Sequence, residues 1–209
     1  MQITEIFYSI QGEGILTGLP TIFIRTTGCN LHCSYCDTPY ANEGGENMTV
    51  KQILSIIKKY QCSSICITGG EPLLQQETKK LITALQKNKY FISVETNGSQ
   101  PISQLKNRNN LMISMDIKTP SSKMQSHFLK DNLCLLTKKD QIKCIIQNKK
   151  DYDYAKRQII QNHLPCPIIF QPVWGTSTAD LASWILQDHL PVRLGIQLHK
   201  FVWGEKTHR

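Results

Sequence analysis

The sequence predicts an α/β fold: a partial (open) β/α barrel on a mainly parallel sheet. Three observations predict it. Short apolar, β-branched runs alternate with segments of helical period. Most of these runs are nearly continuous in apolar residues, as strands covered on both faces are. The 209 residues fall short of the ~250 that a complete eight-unit barrel needs. Strand–helix units on a parallel sheet require right-handed crossovers, which lead to a doubly wound sheet or a barrel, and the length favours an open one.

Strands are expected at residues 21–27, 64–68, 91–95, 111–117, 141–146, 168–172 and 193–198. Between them, residues 49–60 carry Ile53, Ile56, Ile57 and Tyr60 at helical spacing behind a capping Thr49, and residues 77–87 carry Leu81, Ile82 and Leu85. Tyr152, Ala155 and Ile159 repeat the pattern, and Thr178 can cap a helix bearing Leu181, Trp184 and Ile185. Residues 42–47 read as a flexible loop and 106–110 as a polar turn. With no linker, repeat or low-complexity tract, one domain over 1–209 is expected.

Apolar residues make up 40% and charged residues 19%, as in an ordinary globular protein, which excludes a disordered or coiled-coil chain. No apolar run reaches the ~18 residues of a membrane span, and the N-terminus lacks a secretion-signal pattern, so a cytoplasmic protein is expected. The net charge of +8 is spread over short lysine pairs such as Lys58-Lys59 and Lys79-Lys80, the wet faces of amphipathic helices. No aromatics interleave with them, so a nucleic-acid partner is not expected.

Eight cysteines in a reducing compartment point to metal or chemistry rather than disulfides. Cys62, Cys66, Cys134, Cys144 and Cys166 stand in or beside apolar runs and are expected in or near the core. Cys29, Cys33 and Cys36 crowd one loop behind a strand and Gly28. Thiolates select zinc or iron–sulfur centres, and closed structural sites of either kind want four ligands. His32 could be a fourth ligand to zinc, although it adjoins Cys33. Three cysteines otherwise leave one metal position open, as catalytic sites do.

This C-x3-C-x2-C loop is similar to the signature of the radical S-adenosylmethionine superfamily. Gly69-Gly70-Glu71-Pro72, at the end of the next strand, resembles that superfamily's glycine-rich motif. The resemblance implies a [4Fe–4S] cluster on Cys29, Cys33 and Cys36, reductive cleavage of S-adenosylmethionine, and a 5′-deoxyadenosyl radical that abstracts hydrogen from substrate.

A narrower resemblance begins at residues 5–14 and covers most of the chain. Glu5-Ile6-Phe7-Tyr8-Ser9-Ile10-Gln11-Gly12-Glu13-Gly14, Thr21 to Arg25, Cys36-Asp37-Thr38, Glu95-Thr96-Asn97-Gly98, Asp116-Ile117-Lys118-Thr119-Pro120 and Gln171-Pro172 are similar to the 7-carboxy-7-deazaguanine synthases. That family contracts the ring of 6-carboxy-5,6,7,8-tetrahydropterin with loss of ammonia, towards queuosine or archaeosine.

The resemblance implies that Ile10, Gln11, Gly12, Glu13, Arg25 and Thr96 meet the substrate, with Arg25 on its carboxylate and Glu13 on its guanidine-like edge. Thr38 corresponds to a magnesium ligand, an oxygen donor suited to that hard cation. S-adenosylmethionine would be held by Tyr35, Cys36, Asp37, Gly70, Glu71, Gly98, Asp116, Ile117, Lys118, Gln171, Pro172, Val173 and Trp174.

Two places depart from the pattern. Asp116-Ile117 replaces the Ser-Pro of some relatives, and the C-terminus runs beyond those whose terminal carboxylate reaches substrate, so His199 is taken as the contact instead. A homodimer and a flavodoxin- or ferredoxin-type electron donor are also implied. The alternatives are an activase of a glycyl-radical enzyme, which has no use for the Gln11, Glu13 and Arg25 set, a relative acting on another small molecule, and a zinc-bearing nucleic-acid-binding module.

Overall fold

A computed structural model describes residues 1–105 and 109–204. Its described strands form one nine-stranded sheet. In chain order they are β1 (Gln2–Ile10), β2 (Pro20–Thr26), β3 (Glu46–Asn47), β4 (Ser64–Gly69), β5 (Phe91–Thr96), β6 (Leu111–Asp116), β7 (Gln141–Ile146), β8 (Ile168–Pro172) and β9 (Arg193–Leu194). The spatial order is β3-β1-β2-β4-β5-β6-β7-β8-β9. Neighbours from β2 to β9 pair parallel, whereas β1 pairs antiparallel with both β2 and β3. The mixed α/β class and mainly parallel sheet agree with the expectation.

Helices α1 (Val50–Ile57), α2 (Thr78–Lys87), α3 (Lys149–Asn162) and α4 (Thr178–Gln187) cover the outer face, and α5 (Leu198–Trp203) closes the described chain. Thr49 caps α1 in a reciprocal box with Gln52, its hydroxyl accepting from the Gln52 N–H and its own N–H donating to Gln52 Oε1. Helix α4 is capped by Ser177, not Thr178, because the Ser177 hydroxyl is the one that accepts from the Asp180 N–H. The α1 and α2 faces bury Ile53, Ile57, Leu81 and Leu85, and α3 buries Tyr152 and Ala155.

The sheet corrects one premise of the sequence reading. Only its outer face is continuously apolar, with Ile22, Ile24, Ile65, Ile67, Ile92, Val94, Ile113 and Met115 fully buried. The alternate positions, in register across the strands, are Arg25 and Thr68, Glu95 and Ser114, Asp116 and Lys143, and Ile145 and Gln171. Side chains in a strand alternate between faces, so these residues share the concave side.

Other expectations shift locally. β1 was not foreseen as a strand, and Ile10 is its last residue. β3 lies within the loop expected at 42–47. The strand expected over 193–198 stops at Leu194, and α5 follows. Cys134 is exposed, since it lies on the 3-10 stretch Lys130–Leu135 whose Asn132 and Leu133 point inward, whereas Cys66, Cys144 and Cys166 are buried as expected. Of the polar turn at 106–110, residues 106–108 lie outside the described residues, as does the C-terminal extension from 205 onward.

Candidate active site

The C-terminal ends of β2, β4, β5, β6, β7 and β8 open into a cleft of about 520 Å³. A site at the C-terminal ends of parallel strands is the usual arrangement of barrel-type folds. The residues singled out from the sequence line it, except His32, Glu71, Gly98 and Ile117.

The cysteine loop follows β2 through Gly28, whose φ of +95° favours glycine. Cys29, Cys33 and Cys36 all face the cleft. Cys29 Sγ accepts from the Leu31 N–H at 3.4 Å and has Asn97 Nδ2 at 3.8 Å. His32 is exposed and does not line the cleft, so the structure does not bring it in as a fourth ligand. The donor set is three thiols round an open space, which fits an iron–sulfur cluster with one exposed iron. Gly70 packs directly on this loop: its N–H donates to Thr26 O, and the Glu71 N–H donates to Gly28 O at 2.9 Å.

Glu71 is wholly buried behind the cleft wall. Its carboxylate accepts from the N–H groups of Leu73 (2.9 Å) and Asn97 (2.6 Å) and from the Thr96 hydroxyl (2.9 Å). It therefore ties the glycine-rich turn to the end of β5, a bracing role in place of the expected cofactor contact. The Thr96 hydroxyl is engaged by the same carboxylate. Gly98 (φ +74°) has the Phe128 ring close by and lies off the cleft lining, and Ile117 is buried in the core.

Burial pushes the Glu71 carboxyl up to about 7, against the pull of its hydrogen bonds. A carboxyl raised on folding contributes stability that is present below its ordinary value of 4.5 and lost as pH rises through about 7. Urea midpoints of the apo-protein should fall across that window, and Glu71→Gln should flatten the slope. An unchanged slope in the variant would assign the titration elsewhere.

At the other end, Arg25 Nε donates to Glu5 Oε1 at 2.6 Å, the pair being cross-strand neighbours on β1 and β2. Tyr40 OH also donates to Glu5, and the guanidinium lies 5.9 Å from the Phe7 ring centre and 5.8 Å from that of Tyr40. Glu13 accepts from Lys143 Nζ at 2.7 Å and from Gln197 Nε2 at 3.0 Å. Burial would raise its carboxyl, but Lys143 and the other donors outweigh it and bring it down to about 2. A side chain on Gly12 would overlap the His199 ring, and the Leu198 N–H donates to Gly12 O, so α5 seats on the 11–14 turn. Burial holds the His199 ring below its ordinary value, opposed by Glu13 and Asp37.

Glu13, Asp37 and His199 bring ligand atoms within 4.8 Å of one another. The Gln197 amide already donates to both carboxylates and Lys143 sits on Glu13, so these groups form a polar rim. Lys118 pairs with Asp116 Oδ2 at 2.7 Å, while buried Asp116 Oδ1 has no hydrogen-bond partner among the described residues. Neither side-chain amide atom of Gln171, 1% exposed, has one among the described residues. Buried polar atoms left open in a cleft are positions that a ligand satisfies.

The Radical SAM superfamily profile matches residues 23–145. A 7-carboxy-7-deazaguanine synthase of Methanospirillum hungatei is 42% identical over 204 residues, covering 97% of this chain and 85% of that one. The chain belongs to the 7-carboxy-7-deazaguanine synthase family. A second member of the family, from Thermoplasma acidophilum, is 37% identical and covered to 98%, as is this chain. The solved structure of QueE from Escherichia coli shares the fold, with a TM-score of 0.76 over 95% of this chain and 94% of that one at 24% identity. As a radical S-adenosylmethionine enzyme of this synthase family, the protein uses an iron–sulfur cluster and S-adenosylmethionine.

Four residues with clear places in the site had no role in the sequence reading. Glu5 and Gln197 depend on a hairpin register and a chain reversal that spacing does not reveal. Lys143 and Glu95 did carry a signal: each is the one charged residue in a mainly apolar strand.

Proposed function

We propose that this protein is a 7-carboxy-7-deazaguanine synthase that turns 6-carboxy-5,6,7,8-tetrahydropterin into 7-carboxy-7-deazaguanine with loss of ammonia. The observation that carries the reading is a single cleft lined by the three cysteines at one side and by Arg25, Glu13 and His199 at the other. A cationic fork and an anionic acceptor in one pocket suit a ligand with a carboxylate and a row of N–H donors.

When bound, the cluster and S-adenosylmethionine supply the radical that takes hydrogen from the substrate. The chain's residues position and enclose. Asp116, Lys118 and the Gln171–Trp174 segment hold S-adenosylmethionine, with Tyr35 and Asp37 beside it in the cysteine loop. Arg25, kept in place by Glu5, receives the substrate carboxylate, and Glu13 receives the pyrimidine edge. Thr38 would hold magnesium: it lines the cleft, and its hydroxyl makes no cap bond to the turn it precedes. No side chain need act as a nucleophile.

The chain acts as one domain, because the cleft draws on residues from Phe7 to Lys200. A homodimer, a flavodoxin- or ferredoxin-type donor and a cytoplasmic location follow from the family resemblance. Among the described residues no helix is long and apolar enough to cross a membrane.

Anaerobic reconstitution with iron and sulfide, then dithionite, S-adenosylmethionine, magnesium and the carboxytetrahydropterin, should yield both 5′-deoxyadenosine and the deazaguanine by mass spectrometry. 5′-Deoxyadenosine without the deazaguanine overturns the substrate assignment. Arg25→Ala should keep the cluster but lose about a hundredfold or more in kcat/KM, the worth of a charge-assisted bidentate contact of roughly 3 kcal/mol. Normal kinetics in that variant would remove Arg25 from the substrate site.

A further inference from the structure

Lys143 stands on β7 among three carboxylates from three other elements. Its Nζ lies 2.7 Å from Glu13 Oε2 on the turn after β1, 2.9 Å from Glu95 Oε2 on β5, and 3.9 Å from Asp116 Oδ1 on β6. All four groups line the cleft, and Lys143 is 6% exposed. A lysine so buried is costly unless paired, so its place is fixed by the carboxylates, and theirs by it.

The second oxygen of Glu13 is held by Gln197. With one donor on each oxygen, the carboxylate plane is set, and the remaining lone pairs can accept two parallel N–H groups. That pattern matches the amino and ring N–H donors on one edge of a pterin.

We propose that Lys143 is the positioning residue of the substrate pocket, fixing Glu13 as an ionised double acceptor for the amino-pyrimidinone edge of the pterin. This assignment rests on the pterin reading above. Without the ammonium, Glu13 and Glu95 would meet as like charges in a buried site and share a proton. A protonated carboxyl donates where the ligand edge also donates, and binding suffers.

The other titratable groups that face this cluster are His199 and Lys200 on α5, Asp37 in the cysteine loop, Cys66 on β4, and Lys118, which pairs with Asp116 just beyond the end of β6. Burial raises the Glu95 carboxyl even with the lysine present, and burial alone would lower the lysine, which the three carboxylates instead hold well above its ordinary value. Loss of the lysine therefore favours proton uptake. Affinity in its absence recovers as pH rises, because only the ionised acceptor fits.

The test is the pterin KM and kcat of reconstituted wild type, Lys143→Met and Lys143→Arg across pH, with iron content and substrate-free 5′-deoxyadenosine formation as controls. Lys143→Met should keep its iron and raise the pterin KM by about 30-fold near neutrality, the loss of one charged hydrogen bond. That penalty should shrink at higher pH, and Lys143→Arg should stay within about fivefold of wild type because it keeps the charge. An unaltered KM, or a rise that is equal at every pH and not relieved by arginine, overturns the assignment. Wild type inert towards the pterin overturns the pterin reading and this assignment with it, whereas an active wild type with unaltered Lys143→Met constants overturns the assignment alone.

Discussion

Replacing Cys33 by alanine is expected to give a folded but colourless protein that forms no 5′-deoxyadenosine. Cys33 is half-buried in the loop and lies outside the apolar core, so its sulfur contributes little to folding and the apo-protein should melt within about 1 kcal/mol of wild type. The cluster has no spare cysteine in the cleft, since Cys66, the other one lining it, sits within β4 on the sheet floor. Disturbing groups that merely orient a metal ligand costs roughly 10- to 100-fold in affinity, so deleting one of three ligands should exceed that and take turnover to background. Iron analysis and the visible spectrum after reconstitution decide it. Retained brown colour would mean that the three-cysteine loop does not hold the cluster. Cys134→Ala, an exposed change, should leave the cluster intact.

Gly70→Ala should be nearly as damaging, although it removes no ligand. A methyl group there would run into the Gly28 carbonyl oxygen and stand 2.8 Å from Cys29 Cβ. The obstacle is backbone, and the Gly28 oxygen is already tied to the Glu71 N–H at 2.9 Å, so it can yield only by breaking that bond. Overpacking of this kind costs about 1–3 kcal/mol. The strain falls on the cysteine loop, so the variant should melt lower as apo-protein and retain several-fold less iron after desalting. A variant that melts with wild type and loads fully would show that the two loops can part without loss.

Both results depend on features that differ in how far the sequence exposes them. The apolar outer face of the sheet and the amphipathic faces of α1 and α2 were legible because burial imposes a period. The cysteine spacing and the Gly-Gly-Glu-Pro turn were legible because their chemistry demands fixed neighbours. The polar concave face was not, since Lys143 and Glu95 interrupt apolar strands and the eye reads the strand. β1 escaped because its residues are mixed, with Glu5, Tyr8 and Ser9 among the apolar ones. Its identity as a strand depends on pairing with β2, and so does the Glu5–Arg25 contact. Glu71 was misplaced for a different reason: its motif names a residue, while its buried hydrogen bonds decide which way the carboxylate faces.

The contact of Gln197 with Glu13 spans 184 positions. During synthesis the cysteine loop and the glycine-rich turn emerge early, with β2 and β4 to pair them, whereas the rim that α5 completes must wait for residues near 200. Pairings of such long sequence separation form slowly. A nascent chain would thus gain the metal-binding half of its cleft well before the half that closes on the organic ligand.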